Sequence, residues 1–77
     1  MRLYLGGHLG WYDAQKRKWI DVPLAQPTRL IDVLNDLKIP PAEIAVSAIN
    51  GASLFALDDV IVSDDDTVEL FPPVGGG

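Results

Sequence analysis

The chain ends in Val74-Gly75-Gly76-Gly77, directly after Phe71-Pro72-Pro73. Three consecutive glycines have no side chain to bury, and glycine loses more entropy on ordering than any other residue. As core or strand the segment makes no sense. It does make sense as an extended chain end that enters a narrow channel, and residues 75–77 are read as a flexible tail. The carboxylate of Gly77 is sterically open and ionised at neutral pH, since such a group ordinarily titrates near about 3.5. It is a poor electrophile but a fair nucleophile towards an ATP phosphorus. An acyl-adenylate formed there has an attackable carbonyl, and a sulfur nucleophile then yields a thiocarboxylate. On the tail alone, a frayed or engineered terminus is the rival reading.

A second candidate is a surface patch. Val68 and Leu70 share one face of a predicted final strand, which puts Thr67, Glu69 and Phe71 on the other. The same alternation leaves Arg2 and Tyr4 on that face if Leu3 and Leu5 are buried, and Trp19 if Ile20 and Val22 are. Tyr4, Trp19 and Phe71, with Pro72 and Pro73 at the strand's end, would then form a docking surface beside the tail. The alternative is that these aromatics only make cross-strand pairs or pack under a loop.

Other signals carry less. Gly6-Gly7-His8-Leu9-Gly10 has no Gly-Lys-Ser/Thr after it and is read as a hairpin loop in which no helix starts. His8 has no nearby carboxylate or nucleophile in sequence. Asp58-Asp59 and Asp64-Asp65-Asp66 lack the central Gly and final Glu of a calcium loop and read as solvated turns. Trp11, Tyr12 and Lys16 to Lys18 mix aromatic and basic residues in a patch too small for a nucleic-acid reader.

Composition narrows the classes. Seventy-seven residues allow one small domain. Apolar residues make up 48% and charged residues 22%, an ordinary globular balance. Cysteine is absent and there is one His, which excludes disulfides, thiolate metal sites and a cysteine nucleophile. Six Lys and Arg against eleven Asp and Glu give a formal charge of −5, unfavourable for nucleic acid or an anionic membrane surface. No apolar run nears the roughly 18 residues of a membrane span, and no signal-peptide pattern opens the chain. The cytoplasm is the expected location.

The elements that must position the tail follow from periodicity. Leu3 and Leu5 mark a first strand; Ile20, Val22 and Leu24 mark a second, which Pro23 confines to an edge. Gly6 to Arg17 is a long loop between them. Thr28 is placed as N-cap of a helix of about three turns, with Leu30, Val33, Leu34 and Leu37 inward, Asp32 in the first turn and Lys38 near the end. Pro40-Pro41 stops it. Ile44 to Ile49 is a third strand, followed by an Asn50-Gly51 turn. A short irregular piece holds Leu54, Phe55 and Leu57, then Val60 to Val62 is extended and Thr67 to Phe71 is the last strand. One helix on one face of a four- or five-stranded mixed sheet, with the last strand beside the first, is the ubiquitin-like β-grasp, an α+β fold over residues 1–74.

Here the chain resembles the ubiquitin-related sulfur-carrier family, which includes the small subunit of molybdopterin synthase and the thiamine sulfur-carrier protein. The resemblance rests on the strand ending in Asn50-Gly51, the Asp64 to Asp66 turn, Thr67 through Val74, the closing glycines, and the helix from Thr28 to Leu37. It implies a carrier with no catalysis of its own and no bound cofactor, monomeric when free. A ubiquitin-activating-type adenylating enzyme would use ATP and Mg to activate the terminus. Gly77 would carry the sulfur, with Gly76 and Gly75 giving it reach. The acceptor would be a synthase, the molybdopterin synthase large subunit or a thiazole synthase. The family's usual ending is a glycine pair, so the third glycine leaves Gly77 or a trimmed Gly76 as the working end. A protein modifier joined to lysines through the same terminus, and a plain ubiquitin-like interaction module, are the rival classes.

Overall fold

The computed structural model describes residues 1–54, 57 and 59–73. The chain runs through β1 (Arg2–Leu5), a 3₁₀ segment (Gly7–Tyr12), β2 (Trp19–Asp21), β3 (Thr28–Arg29) and α1 (Leu30–Asp36). A 3₁₀ turn (Pro41–Glu43), β4 (Val46–Ile49), β5 (Ala52–Leu54), β6 (Ile61–Val62) and β7 (Thr67–Phe71) follow. Five strands form one mixed sheet in the order β2-β1-β7-β4-β5. Its central pair, β1 and β7, is parallel, with Leu3 opposite Val68 and Leu5 opposite Leu70. The other neighbours are antiparallel. With α1 over one face this is the β-grasp α+β arrangement.

Alternation decides which face is covered. Leu3, Leu5, Val68 and Leu70 are fully buried and meet Leu30, Val33 and Leu34 of α1. Each such side chain contributes on the order of 1.5–3 kcal/mol when fully buried, and this aliphatic layer takes the place of the cross-links a cysteine-free chain lacks. Ser47 also lies inward, opposite Leu70, and its hydroxyl has no partner among the described residues. Asn50 and Gly51 have φ of 51° and 89°. Both central residues of this turn are thus left-handed, the geometry that matches hairpin twist.

The structure departs from the sequence reading in several places: the second and third predicted strands are shorter, Trp19–Asp21 and Val46–Ile49, and four other features differ. Thr28 is not the N-cap. It pairs with Val62 across β3 and β6, a separate two-stranded ribbon, and its hydroxyl donates to the Gln26 carbonyl. Arg29 holds the cap position without a side-chain bond, and the Leu30 N–H donates instead to the Val60 carbonyl. A backbone acceptor from a distant segment thus does the work expected of the hydroxyl.

The helix is seven residues long, about two turns. It ends before the prolines: Lys38 turns left-handed at φ 63°, and the Ile39 N–H reaches back to the Leu34 carbonyl. This six-to-one closure seats Ile39 in the core. Lys38 therefore lies outside the last turn.

Ala52–Leu54 is an edge strand where an irregular piece was expected; Phe55, beside it, lies outside the described residues. All three of its residues are exposed, so no apolar alternation marks it, and the Asn50-Gly51 turn alone sets its register. Finally, the loop after β1 contains a 3₁₀ segment, Gly7–Tyr12, where no helix was expected. It drives Leu9 fully into the core.

Candidate functional site

β7 is the central strand, and Pro72 and Pro73 continue from its end. The Leu70 carbonyl accepts from Gly6 N–H at 2.8 Å and the Phe71 carbonyl from Ala45 N–H at 2.9 Å. Pro72 and Pro73 follow, and neither has an N–H to continue the ladder. The strand end rests on bare backbone. A Cβ on Gly6 would stand 2.7 Å from the Leu70 oxygen and 3.0 Å from the Phe71 ring. One on Gly7, at φ 53°, would stand 2.7 Å from Pro72. Sequence reading took these glycines as breaks in a strand; their work is to let the end of β7 settle against the loop. Val74 and the glycines Gly75, Gly76 and Gly77 lie outside the described residues.

The open face beside this exit carries the expected aromatic row. Tyr4 lies between Trp19 and Phe71, with ring centroids 5.0 and 5.9 Å away. The Arg2 guanidinium sits 4.7 Å from the centre of the Trp19 ring. Trp19 and Phe71 are 40% and 37% exposed. The three aromatics therefore pair across strands and still present apolar area to solvent. Pro72 and Pro73 border the row through Phe71.

A polar clasp between the β1–β2 loop and Glu43 was not legible in the sequence. His8 and Glu43 approach at 2.6 Å, and the Tyr12 hydroxyl donates to the second Glu43 oxygen. The partners are more than thirty residues apart in sequence, and no local spacing could have joined them. The Tyr12 bond, then the His8 bond, hold the Glu43 carboxyl below its usual range. The same bond to Glu43 pushes the Tyr12 phenol up.

The aspartates of the Asp64 to Asp66 turn are also structural, not merely solvated. Asp64 accepts from Leu24 N–H and from the Met1 amino group, and Asp66 from Asn50 Nδ2 and Ser63 N–H. Those bonds lower both carboxyls, with Leu24 and Asn50 the leading causes. Asp13 is lowered by its bond to the Arg17 side chain. A carboxyl whose folded value lies below its unfolded one stabilises the fold fully above the unfolded value and loses that contribution as pH falls through the folded one. The urea midpoint should thus decline steadily as pH falls below about 4, the ordinary unfolded value. A midpoint constant down to about pH 2 would contradict these assignments.

Among the described residues no group of three His, Asp or Glu could hold a metal, and no helix is long and apolar enough to cross a membrane. A helix-covered mixed sheet whose central strands, β1 and β7, run parallel is the ubiquitin-like arrangement. The chain belongs to the ThiS family, whose sequence model matches residues 12–77. Members of that family are small sulfur carriers, not enzymes, and work with activating enzymes and synthases. No curated protein matches the chain.

Proposed function

We propose that this chain carries sulfur as a thiocarboxylate on its C-terminal glycine and donates it in the synthesis of molybdopterin or of the thiamine thiazole. The Phe71-Pro72-Pro73 ending favours molybdopterin. The observation that supports the reading is the exit of β7: a rigid central strand, two prolines, then a glycine end, flanked by an aromatic row that a partner can grip. Residues 1–74 serve as the body and residues 75–77 as the working tail, with ATP and Mg held by the adenylating enzyme.

The chemistry balances without any side chain of this protein. A Gly77 carboxylate oxygen attacks the α-phosphorus of ATP, and pyrophosphate leaves. A sulfide-level nucleophile adds to the acyl-adenylate carbonyl, and AMP leaves with the bridging oxygen. The thiocarboxylate sulfur attacks an electrophilic carbon of the precursor inside the synthase, an oxygen leaving group departs from that carbon, and water then cleaves the acyl–sulfur bond, restoring the carboxylate. The chain contributes reach, an unhindered carbonyl and a docking face.

Intact mass after incubation with an adenylating enzyme, ATP, Mg and sulfide tests this. The expected product is heavier by the difference between one sulfur and one oxygen, located at the C-terminus by fragmentation. Conjugates on lysines of other proteins, with no such exchange, would make the chain a modifier instead. Phe71→Glu should raise the KM for the carrier about tenfold or more, the scale of an aromatic interface anchor. Its melting temperature should change little, because the ring lies on the open face. A large loss of stability would show that the ring is core.

A further inference from the structure

The loop between β1 and β2 holds a cluster that the carrier chemistry does not use. Trp11 is 73% exposed, the highest value among the exposed large apolar residues described. Beside it lies a cavity of about 230 Å³ lined by Gly7, Gly10, Trp11, Lys16 and Lys18. The Lys16 ammonium donates to the Trp11 carbonyl at 2.9 Å and sits 5.5 Å from the centre of its ring. Lys18 donates to the Gly7 carbonyl at 2.6 Å. An ammonium has three donors, so each lysine is fixed at the rim with two N–H groups left for a ligand.

The sign of the pocket is set by these two lysines. Arg17 lies between them in sequence, but its guanidinium makes two bonds of 3.0 and 3.1 Å to Asp13, and the charges cancel. Neither Lys16 nor Lys18 has a carboxylate within ion-pair distance among the described residues. Three of the chain's six cations are consecutive here, in a protein of formal charge −5.

The loop is also built, not draped. Asp13 accepts from the N–H groups of Gln15 and Arg17. Lys16 turns left-handed at φ 58°. Gly10 leaves room for the returning strand, since a Cβ there would stand 3.3 Å from the Arg17 carbonyl.

We propose that this pocket receives an acidic segment of the adenylating enzyme, with Trp11 as apolar anchor and Lys16 and Lys18 pairing its carboxylates. The inference rests on the carrier reading and names how that partner is held. Two observations select the occupant. Charge complementarity excludes a basic segment, and in a chain of formal charge −5 the run Lys16-Arg17-Lys18 is the one place where cations are consecutive, which draws an acidic segment to this rim. The pocket is also continuous with the exit of β7, because Gly7 lines the one and lies against Pro72 of the other. A protein that grips the strand end at Phe71 and Pro72 thus lies beside this rim. Salt-sensitive rim charges suit a partner that must bind quickly and let go. Gly7, Gly10 and Trp11 precede the matched residues 12–77, so membership of the family does not account for them.

The test is steady-state adenylation by the adenylating enzyme from the same source, followed by pyrophosphate release. W11S and K16E/K18E should each raise the KM for the carrier by about tenfold or more, with kcat held within about twofold. Salt should depress wild-type kcat/KM, leave that of K16Q/K18Q nearly flat and raise that of K16E/K18E. K16R/K18R should restore the wild-type value. Melting curves accompany each variant, and K16Q/K18Q replaces the charge reversal if that one melts early. A KM within about twofold of wild type in both variants, with the wild type converted, overturns this inference alone. A wild-type chain that is not converted overturns the carrier reading and this one with it. A dimer by sedimentation that W11S abolishes would assign the pocket to a second copy of the chain and also overturn the proposal.

Discussion

Removing Gly76 and Gly77 should abolish conversion to the thiocarboxylate altogether while leaving the melting temperature within about 2 °C of the full chain. The chemical half of this expectation is steric. The truncated chain would still end in a glycine carboxylate, but two residues nearer to the prolines, and an extended chain shortens by roughly 3.3 Å with each residue removed. A deficit of that size exceeds the tolerance of a reaction that needs near-contact between carboxylate and phosphorus. The stability half follows from the core, which among the described residues ends at Leu70. Removing Gly77 alone separates the two candidate termini: full conversion would make Gly76 a competent end. Conversion of the double deletion at an undiminished rate would refute the carrier reading.

Leu70→Ala is expected to be the most damaging single change to the fold. Leu70 is fully buried on the central strand, facing Leu5 on one side and Ser47 on the other. Truncations of this kind cost about 2–5 kcal/mol. A domain of this size has in total about 4–12 kcal/mol, at roughly 0.05–0.15 kcal/mol per residue. At the middle of both ranges roughly two-fifths of the stability should therefore disappear in a urea titration. Phe71→Ala, one residue on and on the opposite face, should cost clearly less. The reverse order would mean that the two faces of β7 have been exchanged.

The same alternation explains why so much of the architecture could be read beforehand. Leu3, Leu5, Val68 and Leu70 sit on strands paired at the centre of the sheet, where burial on one face forces a period of two. The aromatic row of Tyr4, Trp19 and Phe71 follows from that period as its complement. Asn50-Gly51 was legible because both positions need positive φ, which few other residue pairs tolerate. What stayed hidden depends on partners far away in the chain. The cap of α1 comes from the Val60 carbonyl, and the clasp on Tyr12 and His8 from Glu43. β5 has no buried residue and so no pattern. Gly6 and Gly7 looked like punctuation because their reason is the approach of β7, more than sixty residues on in the register.

The parallel pairing of β1 with β7 has a consequence for how the molecule is made. Within this domain the strand made first must wait for the one made last before the middle of the sheet can close, so the core forms only once Thr67–Phe71 has been synthesised. A chain stopped short of β7 lacks the one strand that joins β1 to β4, and its two half-sheets have nothing to hold them together.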